Sequence, residues 1–437
     1  MSAATAGRLL SVLGVTFGLA VTVGNTIGAG ILRTPGVIAS SLPTFWPFIS
    51  VWLLGGAYAW LGANALSELG TRVPRSGGQY VFVREALGEY PGFVVGWSDW
   101  ISTCGTTAAV SIVVGEYLHN LFPALARTGT AVALIALLTV AQWFSVRSGS
   151  AVQKVTSLAK ALVLLILIAA CFFLGGRDPM SGAFKPDTEL SVFVAYILAL
   201  QAVIYTYDGW AAVIYFSEEV KNPRRDIPRS MFGGLAAVMI IYLLINIAFL
   251  RVVPIGTIAG QDLAAATVAH FLFGSRGEVV IRSIMVVALI SAVSSNVMMA
   301  PRVLYAMSAD GFFWRRAAAV NRGGTPDVAL LISSAIAALF IVTGTFEEVI
   351  AKLAFFFVAN YALSFVSLFV LRARQPETTK IFRARGHPYT TGLALAASVA
   401  FLIGAVAGDF RNSAYAAGLL LLSLPLFLFL RGRRDAR

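Results

Sequence analysis

Twelve long apolar stretches divide this sequence, and most reach the ~20 residues that a helix needs to cross the hydrocarbon core of a bilayer. The stretches are continuous, whereas membrane-spanning β-strands are shorter and alternate between apolar and polar residues. The sequence therefore predicts an all-α integral membrane protein with twelve transmembrane helices. The predicted spans cover residues 11–38, 46–69, 91–118, 129–146, 152–175, 190–217, 230–250, 279–307, 328–343, 350–371, 390–408 and 412–430.

The composition agrees with lipid as the main solvent of the chain. Hydrophobic residues make up 58% of the 437 residues and charged residues 12%, whereas soluble proteins carry about 25% charged residues. This excludes a soluble enzyme, a disordered chain and a coiled coil. The loops between the predicted spans leave no room for a soluble domain, so we expect a single transmembrane domain over residues 1–437.

The residues that usually hold metals or cofactors are sparse. Cys104 and Cys171 lie in separate apolar runs, and His119, His270 and His387 are far apart in the sequence, so no metal-ligand spacing is present. Clustered catalytic side chains and a Walker phosphate-binding motif are also absent from the sequence. We therefore expect no metal, no cofactor, no use of ATP and no enzymatic activity.

The basic residues are distributed asymmetrically. If both termini lie on one side of the membrane, most of the 33 Lys and Arg residues fall on that same side. Because positive charge accumulates in the cytoplasmic loops of membrane proteins, we expect both termini in the cytoplasm and a multi-pass protein of the cell inner (cytoplasmic) membrane. The basic clusters are interpreted as topology determinants, and nucleic-acid binding is not expected despite a net charge of +12.

Spans 1 and 6 are interrupted in their interiors. Span 1 contains the run from Gly24 to Gly30, GNTIGAG, followed by Pro35, and span 6 contains the run from Tyr205 to Trp210, YTYDGW. Each glycine weakens a helix by about 1 kcal/mol relative to alanine, although a glycine face can also serve close helix packing. An acidic residue such as Asp208 inside a membrane span is costly and indicates function. Interrupted helices that open two five-span halves indicate a transporter binding site.

The two interruptions offer complementary chemistry. A half-helix that starts near Gly28 presents unpaired N–H groups and the positive end of the helix dipole, which suit a carboxylate. The first half of span 6 ends near Tyr205 with unpaired carbonyl groups, which suit an ammonium group. An α-amino acid carries both groups, so it matches this pair of sites.

Four segments together resemble one known family. They are GNTIGAGI in span 1, YDGW in span 6, the run EEVKNPRRDIP from Glu218 to Pro228, and PRSGGQY from Pro74 to Tyr80 after span 2. In combination they resemble the amino acid–polyamine–organocation (APC) superfamily, and in particular its L-type amino acid transporter branch, over nearly the whole chain. The resemblance implies a LeuT-like fold with discontinuous helices 1 and 6. Its two inverted five-helix repeats would cover residues 11–175 and 190–371, and helices 11 and 12 would lie within residues 390–430.

The resemblance also implies which residues contact the substrate. The substrate carboxylate would meet the backbone of Ile27, Gly28, Ala29 and Gly30. The substrate amino group would meet the carbonyl groups of Tyr205 and of Tyr207 or Asp208. Trp210 and Tyr205 are interpreted as walls of the pocket or gate. Related sequences often have serine where this chain has Ala29, so a hydroxyl is missing at that point while the backbone N–H remains.

A further departure concerns partners. Animal relatives in this branch bond a glycoprotein subunit through a cysteine in the loop after span 3. Residues 119–128 contain no cysteine, so no disulfide-linked heavy subunit is expected.

Lys160 lies in the interior of span 5, ~12 Å from its start at 1.5 Å per residue. A lysine near that depth can still snorkel towards the interface. The resemblance instead implies that Lys160 stands where related proteins hold sodium, bridging the backbone near Gly24 to Ser294 or Ser295 of span 8. Whether it is a permanent tether or carries a coupled proton stays open.

Other polar residues of the spans support several interpretations. Asp208 can recognise a cationic side chain, cap the half-helix or form an internal ion pair. Arg33 can attract carboxylates into an outer vestibule or form a salt bridge, and Asn296 is a candidate lining residue. Asp99 in span 3 is interpreted as satisfying a neighbouring polar group.

Taken together, these features predict a secondary active transporter of L-amino acids, with small to medium neutral substrates preferred. It would work by alternating access, as a sodium-independent exchanger or a proton symporter. The alternative is a carrier of cationic amino acids, polyamines or other organocations. A channel would need a charge ring or a repeated filter sequence, and a receptor would usually add a soluble domain; the sequence has neither.

Overall fold

A computed structural model of the chain describes residues 9–176, 191–343, 346–375, 381–408, 418 and 423–432. The predicted start of the second repeat and most of the predicted span 412–430 lie outside these residues. In the described part the chain is helical, and its only β-type pairing is a single bridge between Leu13 and Val220. This agrees with the all-α prediction.

The helices follow one another with short connections. The part before residue 177 contains α1 (Val15–Thr26), α2 (Gly30–Ser41), α3 (Phe45–Arg72), α4 (Gln79–Leu87), α5 (Glu89–Leu121), α6 (Arg127–Trp143) and α7 (Val146–Leu174). The part after residue 190 contains α8 (Val192–Tyr207), α9 (Pro223–Val252), α10 (Ile255–Ile258), α11 (Ala264–Phe273), α12 (Gly277–Ala309), α13 (Asp327–Thr343), α14 (Phe346–Arg374) and α15 (Tyr389–Gly408).

Several of these helices are long and apolar enough to cross a membrane. Seven meet both criteria in the described residues, and the number rises to eight if α1 and α2 form one bent span. The seven are Phe45–Arg72, Glu89–Leu121, Val146–Leu174, Val192–Phe216, Pro223–Val252, Ala264–Ala309 and Phe356–Arg374. The protein is therefore a helical chain with several candidate spans, and the count of twelve stays a prediction.

Both predicted interruptions are breaks in the helical backbone. α1 ends at Thr26 and α2 begins at Gly30, with a bend of 45° between them. α8 ends at Tyr207, and a 3₁₀ turn follows over Ala212–Phe216. Gly209 lies between them with a φ of 103°, a left-handed conformation that favours glycine.

The two breaks lie side by side in the middle of the molecule. A Cβ atom added to Gly209 would lie 2.8 Å from the Asn25 side chain and 2.9 Å from its backbone, so only glycine permits this approach. The hydroxyls of Thr34 and Thr206 also share a hydrogen bond of 2.7 Å between α2 and α8. The packing therefore brings the end of one interrupted helix against the other.

One end of the helix bundle is closed by polar contacts. The N–H of Leu13 donates to the carbonyl oxygen of Glu219, and the N–H of Lys221 donates to the carbonyl oxygen of Leu13. The Glu219 carboxylate is buried and accepts two hydrogen bonds of 3.0 Å from the Arg302 guanidinium on α12. These contacts join the start of α1, the segment after the 3₁₀ turn and α12.

Candidate functional site

A cavity of about 300 Å³ lies between the two breaks. The first break contributes Gly28, Ala29 and Gly30 to its wall, and the second contributes Tyr205 and Asp208. The rest of the wall comes from α4, α5, α12, α14 and the 3₁₀ turn. The cavity therefore lies where the sequence predicted a binding site.

The start of α2 presents free donors to this cavity. The first N–H groups of a helix have no intrahelical acceptor, and within the described part of the chain no hydrogen bond engages the N–H of Gly28, Ala29 or Gly30. Ile27 differs, because its N–H donates to the carbonyl oxygen of Val23 at 3.1 Å and its side chain is fully buried. The sequence-based expectation therefore fits three of the four residues, and Ile27 instead completes the last turn of α1.

At the second break, a carboxylate replaces some of the expected carbonyl groups. The Asp208 N–H donates to the Tyr205 carbonyl oxygen at 3.1 Å, so that carbonyl already has one partner. The Asp208 carboxylate accepts a hydrogen bond of 2.8 Å from the Tyr361 hydroxyl of α14. Asp208 therefore faces the cavity in a fixed orientation.

Two aromatic residues of span 6 lie behind the cavity wall. The Tyr207 side chain is 1% exposed and packs edge-on against Trp52 and obliquely against Tyr242. The Trp210 ring stacks on Tyr361 with centroids 5.0 Å apart. Neither side chain lines the main cavity, because successive residues around the break point to different sides. The expectation that Trp210 forms a pocket wall is therefore replaced by support of Tyr361 from behind.

Lys160 is fully buried and bonds to the break in span 1. Its ammonium donates to the carbonyl oxygen of Gly24 at 2.6 Å and to the carbonyl oxygen of Ile27. Ser294 and Ser295 do not contact it. The carbonyl oxygen of Ser294 accepts from Gln142, and the Ser295 hydroxyl donates to its own helix. The structure thus brings Lys160 to span 1, whereas the expected bridge to span 8 is not formed.

Further polar side chains of α7 extend this contact along α1. The Ser157 hydroxyl donates to the Ala20 carbonyl oxygen at 2.7 Å, and Gln153 reaches the same oxygen at 3.4 Å. A Cβ atom at Gly24 would lie 2.2 Å from the Gln153 amide nitrogen and 2.4 Å from the Ser157 hydroxyl. Gly24 therefore lets the two helices approach closely enough for Lys160 to reach the break.

Tyr242 of α9 connects the two breaks, and the sequence analysis did not single it out. Its hydroxyl lies 2.9 Å from the carbonyl oxygens of both Thr26 and Thr206, which are near the ends of α1 and α8. A single tyrosine in an apolar span carries no motif, so only the folded structure identifies this role.

Asp99 of α5 also lines the cavity. One of its carboxylate oxygens accepts a hydrogen bond of 2.8 Å from the Tyr215 hydroxyl, and the other, Oδ2, is buried without a partner among the described residues. The expectation that Asp99 satisfies a neighbour thus holds for one oxygen. Its spacing to Thr103 and Thr106, which also line the cavity, is that of one helix face and was the available signal.

Arg33 and Asn296, the remaining candidates, both line the cavity. Arg33 donates from Nε to the carbonyl oxygen of Asp262 at 3.2 Å. In the described residues no group of three or more His, Cys, Asp or Glu side chains is arranged to hold a metal ion.

Comparison with known proteins agrees with this site. The profile of the family described as "Amino acid permease" matches residues 9–424. The serine/threonine exchanger SteT of Bacillus subtilis is 27% identical over 97% of both chains. The b(0,+)-type amino acid transporter 1 of Homo sapiens is 27% identical over 84% of this chain and 77% of its own length. The Asc-type amino acid transporter 1 of Mus musculus is 26% identical over 83% of this chain and 71% of its own.

These matches confirm the resemblance stated from the sequence, and they support transport of amino acids rather than enzymatic catalysis. Because the family profile spans nearly the whole chain, the protein belongs to the amino acid permease family of the APC superfamily.

Proposed function

We propose that this protein is a secondary active transporter that moves L-amino acids across the cytoplasmic membrane by alternating access, without sodium. It would act by exchange or by proton symport, and it would prefer small to medium neutral substrates. One observation carries the proposal: the cavity lies between the free N–H groups of one helix break and the Asp208 carboxylate of the other.

The substrate carboxylate would bind at the start of α2. Gly28, Ala29 and Gly30 offer backbone N–H groups there, and the dipole of α2 adds partial positive charge. Gly28 has open space where a side chain would stand. Because Ala29 has no hydroxyl, recognition of the carboxylate would depend on the backbone.

The substrate ammonium would bind at the end of α8. The Asp208 carboxylate supplies a negative charge, and the Tyr205 carbonyl oxygen has a second lone pair beside the one that the Asp208 N–H uses. Charge-assisted hydrogen bonds are stronger than neutral ones, so Asp208 would contribute most of the affinity for the amino group.

Lys160 would maintain the shape of the first break in place of a sodium ion. Its ammonium bonds to the carbonyl groups of Gly24 and Ile27, which are oxygen ligands of the kind that a cation needs. A lysine that already occupies this position removes the need for sodium.

The proposed topology is that of twelve spans in a LeuT-like arrangement of two inverted repeats, with both termini in the cytoplasm. The two breaks in spans 1 and 6 and the basic residues in the loops that would be cytoplasmic support it. We also propose that no disulfide-linked subunit is required, because Cys104 and Cys171 are both buried.

Counterflow in proteoliposomes tests the proposal directly. Vesicles loaded with an unlabelled neutral amino acid should accumulate the radiolabelled amino acid at the same initial rate with sodium or with choline outside. Vesicles without protein give the background. If no member of an L-amino acid panel exchanges or binds, the proposed function is wrong; if uptake requires sodium, the role given to Lys160 is wrong.

The second candidate function is a carrier of cationic substrates. The unpartnered Oδ2 of Asp99 in the cavity wall favours it. Among cationic substrates, a polyamine lacks the carboxylate that the N–H groups of Gly28 and Ala29 would bind, so a cationic amino acid fits the site better. The same panel, extended to polyamines, separates these cases.

A further inference from the structure

The wall of the cavity formed by α4 and α5 carries acceptor groups that have no donor. Asp99 and Gln79 are each 3% exposed and line the cavity. Asp99 Oδ2 and Gln79 Oε1 are both buried and have no hydrogen-bond partner among the described residues. Buried polar groups in folded proteins are nearly always paired, so two unpaired acceptors at one cavity indicate a ligand that donates hydrogen bonds.

This wall is held rigidly. The Asp310 carboxylate accepts hydrogen bonds of 3.0 Å from Arg75 and 2.9 Å from the Tyr80 hydroxyl, and it forms an ion pair with Arg84. Burial and the neighbouring Asp310 charge raise the pKa of Tyr80, so its hydroxyl keeps its proton. These contacts fix α4 next to α5 and hold Gln79 at the cavity.

The charges of the cavity wall do not balance. Its ionisable residues are Arg33, Asp99 and Asp208, so it carries one more negative than positive charge when all three are ionised. A neutral amino acid is a zwitterion and leaves this excess unchanged. An amino acid with a second ammonium group would cancel it, and an uncompensated buried charge is costly.

We infer that Asp99 and Gln79 form a subsite for the side-chain ammonium of a dibasic amino acid. The inference rests on the proposed function, because it assumes that the α-carboxylate and α-ammonium bind at the two helix breaks. An ammonium group has three N–H donors, so it can satisfy both acceptors at once. A proton on Asp99 would neutralise the carboxylate but leave the Gln79 oxygen unpaired. Dibasic amino acids are therefore transported in addition to neutral ones.

A series of matched ligands tests the subsite. Diaminobutyrate, ornithine and lysine compete with a radiolabelled neutral amino acid for counterflow, and each is compared with the straight-chain amino acid that has a methyl group in place of the side-chain ammonium. We expect at least one dibasic ligand to inhibit about 10-fold more strongly than its neutral counterpart, the factor that a charge-assisted hydrogen bond supplies. Asp99→Asn should remove this preference while neutral ligands bind as in the wild type.

Two further variants keep the test clear if Asp99→Asn fails to fold. Asp99→Glu extends the carboxylate by one methylene, so the preferred dibasic ligand should become shorter by about one carbon. Glu278→Gln removes an exposed carboxylate that pairs with Arg282 outside the cavity, and it should leave the dibasic preference unchanged.

Three results would overturn the inference. Dibasic ligands that never compete although neutral ones exchange would leave the proposed function intact and reject the subsite. An equal loss for neutral and dibasic ligands in Asp99→Asn would show a structural role, and a change only in the pH dependence of neutral uptake would show a proton site. If no amino acid exchanges in the wild type, the proposed function fails as well.

Discussion

The Lys160 ammonium donates a hydrogen bond of 2.6 Å to the carbonyl oxygen of Gly24 across the interface of α7 and α1. Gly24 lies in the last turn of α1, and the same ammonium also reaches Ile27, where α1 has ended. The carbonyl end of a helix is the negative end of its dipole. The lysine therefore stabilises the free carbonyl groups that the break in span 1 creates.

Lys160→Ala should reduce amino acid transport much more than it reduces expression. The substitution leaves two buried carbonyl groups without their cationic donor, and a hydrogen bond to a charged group contributes about 1.5–3 kcal/mol. The start of α2 should then lose its position relative to Asp208. Initial uptake per amount of purified protein, in buffers with and without sodium, measures the effect.

Lys154→Ala is the matched control for this change, because Lys154 lies on the same helix but is exposed. It should transport at the wild-type rate. Lys160→Arg should restore little activity, since a planar guanidinium does not replace a compact ammonium in a closed site. Wild-type uptake by Lys160→Ala would contradict the role proposed for this residue.

Gly28→Leu should abolish amino acid binding while the protein still inserts and folds. A Cβ atom at Gly28 meets nothing within 4 Å, so the backbone tolerates a side chain that then fills the place of the substrate carboxylate. Gly14→Leu is the control, because Gly14 has equally open space outside the cavity. Binding to detergent-purified protein, measured by isothermal titration, distinguishes the two, and normal binding by Gly28→Leu would move the carboxylate site elsewhere.

Gly24→Ala should destabilise the protein itself. The added methyl group would overlap the side chains of Gln153 and Ser157, and such overpacking costs about 1–3 kcal/mol. The thermal unfolding temperature in detergent should fall, and Gly14→Ala should leave it unchanged. An unchanged unfolding temperature for Gly24→Ala would mean that α1 and α7 separate without cost, and that Lys160 does not depend on their close approach.

Local sequence patterns were sufficient to place the two breaks. Glycine weakens a helix regardless of its surroundings, and a carboxylate such as Asp208 is expensive in lipid wherever the helix turns. The motif from Gly24 to Gly30 and the position of Asp208 therefore predicted the location of the cavity before any packing was known.

Patterns could not determine which face each residue presents. The sequence-based expectation that the backbone of Ile27 meets the substrate was wrong for its N–H, because α1 continues one residue further than the glycine pattern suggests. The orientation of Tyr207 and Trp210 depends on backbone angles around Gly209. Tyr242 and Asp99 gain their importance from distant partners, and a single sequence carries no record of such contacts.

Tyr242→Phe should weaken amino acid binding with little change in packing. The ring keeps its contacts with Trp52 and Tyr207, while the carbonyl groups of Thr26 and Thr206 lose their shared donor. A buried acceptor left unsatisfied costs about 1–3 kcal/mol. Because Tyr242 touches both breaks, affinity should fall for every substrate, by up to about 100-fold.

A comparison of neutral and dibasic ligands measures the Tyr242→Phe effect. A similar decrease for both classes is expected, together with a nearly unchanged unfolding temperature. A loss of stability without a loss of affinity would show that the hydroxyl only supports the fold.

Asp208→Asn should lower the affinity for all amino acids alike, because the carboxylate is proposed to bind the α-ammonium that they share. The asparagine side chain has nearly the same size, and its carbonyl oxygen can still accept the hydrogen bond from Tyr361. The lost charge-assisted hydrogen bond is worth about 1.5–3 kcal/mol, or roughly 10- to 100-fold in affinity. Asp99→Asn should act only on dibasic ligands, so the two variants separate recognition of the α-ammonium from recognition of the side chain. Competition by alanine, leucine and lysine measures both. If Asp208→Asn impairs only lysine, Asp208 selects a cationic side chain, and the assignments of the two carboxylates must be exchanged.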